Sequence, residues 1–195
     1  MKTNAGVVIV RNALCWRCHS IDRITGQRVA LVPYEKEHVP KYHNWMKDPW
    51  LQEMTASEPL SLEEEFEMQK SWKEDAKKCT FIVLAKAEGD GQQETSYVDE
   101  SAIRRMVGDV NLFFNDHDDH QASTATLSVS RFFCKIIESN TASLHLFDKL
   151  GYVKYNYVAA FKQVEMELVT RDKHAELVDA VLKSAVIYLP HFIEQ

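Results

Sequence analysis

Glycine is scarce in this chain, with six among 195 residues and none between Phe114 and Arg131. Loops that cradle phosphate groups favour glycine, because a residue without Cβ lets consecutive backbone N–H groups close on an anion. The one G-x-G, Gly89-Asp90-Gly91, sits beside Glu88 and contains an aspartate. Those carboxylates would repel a phosphate, so it reads as a plain turn. No apolar run approaches the ~20 residues that cross a bilayer. Gly6-Val7-Val8-Ile9-Val10 stops at Arg11, too short for the apolar core of a secretory signal. A cytoplasmic protein with no membrane role is expected. A basic excess is missing too: 23 Lys and Arg stand against 29 Asp and Glu. The cations are scattered, so nucleic acid is not an expected partner.

Cysteine is sparse, at four. Cys79 and Cys134 fall in apolar strand-like runs, where buried reduced thiols are common. Cys15-Trp16-Arg17-Cys18-His19 spells the c-type haem attachment pattern, but no export signal or apolar pocket accompanies it. Asp116-His117-Asp118-Asp119-His120 has ligand-type side chains, yet adjacent residues converge poorly on one tetrahedral ion. No metal site is expected from either.

What is present is a core: 45% apolar residues, enough for one domain. Residues 1–27 have neither helical nor strand periodicity beyond one short apolar run and read as a poorly ordered extension or insert. The domain proper is expected over 28–171. It opens with a strand-like run, Arg28–Pro33, and a helix carrying Val39, Tyr42, Trp45 and Met46 on one face, with Pro40 in its first turn. Ser61-Leu62-Glu63-Glu64 is a capping box for a second helix, with Leu62, Phe66, Trp72 and Ala76 on one side. Thr80–Ala87 and Met106–Phe114 read as strands, and Glu88–Arg105 as a solvated loop between them. Phe132–Ile137 is a further strand. After it, Asn140 can cap a helix that Gly151 ends. Two strands follow, Tyr152–Val158 and Phe161–Thr170. The tail, 172–195, spaces Leu177, Val181, Ala185 and Tyr188 as an amphipathic helix stopping at Pro190.

A strand, then N-x-x-S-x-x-L-F-x-K-L-G-Y from Asn140 to Tyr152, then another strand resembles the C-terminal half of the GNAT-type N-acetyltransferases. The order β, α, α, β, β, gap, β, α, β, β is similar to that fold. ALVPYEKEHVPKYHNWM, EMTASEPLSLEEEFEMQKSW, KCTFIVL and MVGDVNLFF resemble the eukaryotic N-acetyltransferase-nine subgroup, associated by name with tubulin. The resemblance implies an α/β (α+β) acyl-CoA N-acyltransferase fold, with a mixed central sheet flanked by helices and truncated at the third helix. Thr80–Ala87, Met106–Phe114 and Phe132–Ile137 are expected to keep the family order in that sheet. It also implies acetyl transfer from acetyl-CoA to a protein amine, tubulin being one candidate.

By the same resemblance the cofactor pyrophosphate rests on a loop of the form [RQ]-x-x-G-x-[GA] leading into a helix N-terminus. That loop is due between Phe114 and Arg131, where there is no glycine and too little chain for a strand, a loop and a helix. Acetyl-CoA binding is therefore expected to be weak or absent. The alternative to an enzyme is a catalytically inactive scaffold that binds a protein partner. Asn140 and Ser143 match positions facing the pantetheine, although capping explains both equally well. Phe147 stands where many members carry a tyrosine that protonates the thiolate. It has no proton to give, and core packing is its ordinary role. Candidate bases for the acceptor amine are Glu58, between the first two helices, and Asp109, on the central strand.

Overall fold

A computed structural model describes residues 22–75, 77–86, 96–113 and 131–170, together with 176, 179–180 and 183–188. The CxxCH run, the G-x-G, the Asp116–His120 cluster and most of the expected tail helix lie outside these residues. Among the described residues no group of three or more His, Cys, Asp or Glu could hold a metal ion.

The chain forms two antiparallel sheets. The larger joins β1 (Arg23–Thr25), β2 (Val29–Pro33), β3 (Lys78–Ala85), β4 (Met106–Phe113) and β8 (Val186–Tyr188) in the order β4-β3-β2-β1-β8. The smaller joins β5 (Arg131–Ile137), β6 (Val153–Val158) and β7 (Gln163–Val169) in the order β5-β7-β6. Helices flank sheets as the expected α/β (α+β) class requires, but the expectation that Met106–Phe114 and Phe132–Ile137 share one mixed sheet is corrected, because both sheets are antiparallel and β4 and β5 belong to different ones. No described strand occupies the position between them, so each ends its own sheet.

Helices α1 (Val39–Met46), α3 (Leu62–Glu74) and α4 (Glu100–Arg105) pack on the larger sheet, α2 (Pro49–Thr55) packs on α1, and α5 (Thr141–Lys149) packs on the smaller sheet. Their starts are written locally. Asp48 accepts the Trp50 N–H ahead of Pro49, and Ser61 and Glu64 exchange backbone bonds of 3.3 and 2.8 Å. In α3 the buried face differs from expectation: Glu65 and Gln69 face inward with Met68 and Trp72, while Leu62 and Phe66 are largely exposed. Gln69 turns inward because its amide donates to the Tyr34 carbonyl at 2.7 Å, satisfying a backbone group just past β2.

Four further corrections concern boundaries and thiols. Part of the expected 88–105 loop is helix α4, capped by Asp99 and braced by Glu100 with Arg104. Ala102 on it is fully buried. The expected extension ends early, since β1 already pairs with β2. The expected tail helix gives way after Ser184 to β8, which pairs with β1. Cys79 is disulfide-bonded, its partner lying outside the described residues, whereas Cys134 is a free thiol.

Three apolar clusters hold the fold. One lies between α1, α3, α4 and the sheet, around Val32, Tyr34, Val39, Tyr42, Ile82, Leu84 and Met106. A second, on the other face, gathers Ile24, Cys79 and Phe81 with Ala185 against it. The third belongs to the smaller sheet, where Ile136, Tyr152, Val164 and Met166 meet Leu144 and Phe147 of α5. No residue is shared between the third cluster and the other two.

Gly151 ends α5 with φ +86, a left-handed conformation, and an added Cβ would come no nearer than 3.8 Å to Leu168. Gly151→Ala is therefore expected to cost backbone strain alone, about 1–2 kcal/mol. A drop of several degrees in thermal melting checks this.

Candidate active site

β3 and β4 present a polar row beneath α1 and α3. Lys78, Thr80 and Ile82 alternate on one face of β3, and the register sets them opposite Phe113, Asn111 and Asp109. Thr80 Oγ1 donates to Asn111 Oδ1 at 2.6 Å, and Asn111 Nδ2 donates to Asp109 Oδ2 at 2.6 Å. Burial pushes the Asp109 carboxyl up to about 6, despite that hydrogen bond and the opposing pull of Lys78. Burial also brings the Lys78 ammonium down to about 7, while Asp109 and Asp75 resist the change. The Lys78 amine lies over the Trp72 ring, 2.7 Å from its centre, and 4.7 Å from that of Phe113.

Aromatic and acidic groups from the helices close over this row. Tyr34 and Tyr42 stand with ring centres 5.2 Å apart. Both phenols are driven well above their ordinary range, first by burial; Tyr42 then adds to the rise at Tyr34, and the acids Asp109 and Glu65 add to it at both. Glu65 is almost wholly buried, which raises its own carboxyl, and it approaches His43 Nδ1 at 4.0 Å. The Tyr34 hydroxyl, His43 Nδ1 and Glu65 Oε2 have no hydrogen-bond partner among the described residues. His38 is different. Its Nδ1 accepts the Glu35 N–H at 3.0 Å, and Nε2 pairs with the Tyr97 carbonyl at 2.9 Å, so the ring is neutral with its proton on Nε2. Burial lowers its affinity for a second proton.

The site residues anticipated from sequence scatter. Asp109 lies at the centre of the row just described, and Glu58 is exposed on the segment between α2 and α3. Asn140 accepts the Ser143 N–H at 3.1 Å, so its side chain caps α5. Phe147 packs edge-on against Tyr152, with ring centres 4.9 Å apart. Asp109 thus belongs to the larger sheet, and Asn140, Ser143 and Phe147 to the smaller. Tyr34, Tyr42, Glu65, Lys78 and Asn111 were not anticipated. The signal available was in α3, where Glu65 and Gln69 fall in helical step with Met68 and Trp72.

A pyrophosphate cradle does not fit what is here. The 16 residues from Asn115 to Ser130 contain no glycine and carry Asp116, Asp118 and Asp119. On α5 the one amide side chain is spent on the cap, and Phe147 offers no donor.

No profile of a known protein family matches the chain. It is similar to an N-acetyltransferase 9-like protein of Nematostella vectensis, 40% identical over 172 residues, covering 74% of this chain and 84% of the relative. It is also similar to alpha/beta-tubulin-N-acetyltransferase 9 of Drosophila melanogaster, 41% identical over 177 residues, with 74% and 85% covered. The human protein of that name is 37% identical over 186 residues, with 80% and 87% covered. Among solved structures, a spermidine N-acetyltransferase from Vibrio cholerae in complex with CoA and spermine superposes with a TM-score of 0.55. It is 15% identical, and the match covers 76% of this chain and 98% of that one. At that identity the likeness speaks for the fold alone.

Proposed function

This chain belongs to the N-acetyltransferase 9 family, and from that premise we propose an acetyltransferase-type protein directed at an amine of a protein partner, with its acetyl-CoA side curtailed. Tubulin is the proposed partner, on the names of the relatives, and the cytoplasm the proposed compartment. No described helix is long and apolar enough to cross a membrane.

The observation that carries the reading is the interval between β4 and β5. It contains no glycine, and the strands on either side end separate sheets. The 172 aligned positions exceed what 74% of a 195-residue chain can fill, so the alignment passes over positions this chain lacks.

The acceptor side is better furnished. Burial raises the Asp109 carboxyl to about 6, nearer neutrality than an exposed aspartate, which supports the role of base expected of it. Trp50 on α2 and Leu62 and Phe66 on α3 are exposed apolar side chains of the kind a protein partner covers. On this reading the chain binds its partner and acetylates it poorly or not at all. A working enzyme is the second reading, and Asp109 is what favours it. Incubating purified tubulin with the chain and labelled acetyl-CoA tests the two. Incorporation at the level of the enzyme-free control is expected, and transfer that saturates with acetyl-CoA would establish the second reading.

A further inference from the structure

The larger sheet ends on β4, whose outer edge has no strand against it among the described residues. Such an edge presents unpaired N–H and C=O groups, and proteins blunt it with lysine, proline or short strands. The other edges follow that rule: β8 has 3 residues, β5 carries Arg131 and Lys135, and β6 carries Lys154. β4 does not. It runs for 8 residues as MVGDVNLF, without lysine, arginine or proline, and its one charged side chain is held by Asn111 on the helix-covered face. Near its ends Val107 is 47% and Phe113 65% exposed.

We propose that this edge pairs with β4 of a second copy of the chain, antiparallel about a two-fold axis at Val110, so that the two larger sheets continue into one. Directly opposed residues of an antiparallel pair lie on the same face. Both copies bury the face bearing Asp109 and Asn111 beneath α1 and α3, so the axis must pass through a residue rather than between two. Centring on Asp109 would set that carboxyl against its own copy, and centring on Asn111 would set it against Phe113. Centring on Val110 sets Asp109 opposite Asn111 of the other copy, twice, where the free amide hydrogen of Asn111 meets a carboxylate. It also sets Val107 opposite Phe113, twice, so the exposed apolar side chains cover each other. The extra residue at Val107, where the register to β3 shifts, lies at the end of this ladder and leaves Gly108–Leu112 regular. The contact is self-complementary, as two-fold association requires.

Sedimentation velocity on the full chain, run across a concentration series, tests the pairing and its register together. The parent chain is expected to form a species of twice its 22.5 kDa. The double variant Val107→Glu with Phe113→Glu places like charges opposite each other and is expected to sediment as a folded monomer. The double variant Val107→Glu with Phe113→Lys places opposite charges together and is expected to remain dimeric. A parent that stays at 22.5 kDa throughout overturns the proposal. So does a glutamate pair that dimerises like the parent, or two double variants that are folded and equally monomeric.

Discussion

Inserting a strand followed by a glycine-bearing [RQ]-x-x-G-x-[GA] loop and a helix between Phe114 and Arg131 is expected to raise acetyl-CoA affinity at least about 100-fold, near 2.7 kcal/mol. Three terms contribute. The glycines supply backbone N–H groups that can converge on the pyrophosphate, the helix adds its N-terminal dipole, and the new strand covers the open edge of β4. The aspartates now in that interval oppose the first two by repelling the anion. Titration of the grafted and parent chains with acetyl-CoA and with dephospho-acetyl-CoA reads the gain. Equal, unmeasurable binding by both chains would mean that loss of this segment is not what limits the cofactor side.

The second large effect concerns Asp109, whose carboxyl is pushed from 3.8 to about 6 in the folded protein. A carboxyl with a raised folded pKa holds its proton more tightly when folded. Its favourable contribution is therefore complete below the unfolded value and is lost as pH rises through the folded one. Between about pH 4 and pH 6 the parent should lose roughly 2–3 kcal/mol of stability through this group. Asp109→Asn keeps an oxygen for the Asn111 amide and removes the titration. Urea denaturation is expected to find the variant more stable than the parent at pH 7, with the difference vanishing near pH 4. A constant difference across that range would mean that Asp109 is not the group responsible.

Local chemistry made much of this legible. Ser61 with Glu64, Asn140 with Ser143, and Gly151 each answer a demand confined to one helix end, so the sequence pattern suffices to place them. α4 escaped notice because a helix of 6 residues offers too few turns for a periodic signal, and only Asp99 marked its start. The inward turn of Glu65 and Gln69 was hidden for another reason. The group that calls Gln69 inward is the Tyr34 carbonyl, 35 residues earlier in the chain. The division into two sheets was likewise beyond local reading, since strand propensity in Met106–Phe113 and Arg131–Ile137 says nothing about whether the two strands pair. Asp109 could be singled out as an acid in an apolar strand, but its elevated pKa depends on helices that fold over it from elsewhere.

Isothermal titration of the purified chain with acetyl-CoA tests the central claim most directly, because the claim is that the chain lacks a pyrophosphate cradle rather than a base. The account predicts little or no binding heat up to millimolar cofactor, with the folded state verified by circular dichroism on the same sample. A saturable isotherm with a dissociation constant in the low micromolar range would contradict it, since another part of the chain would then be holding the phosphates.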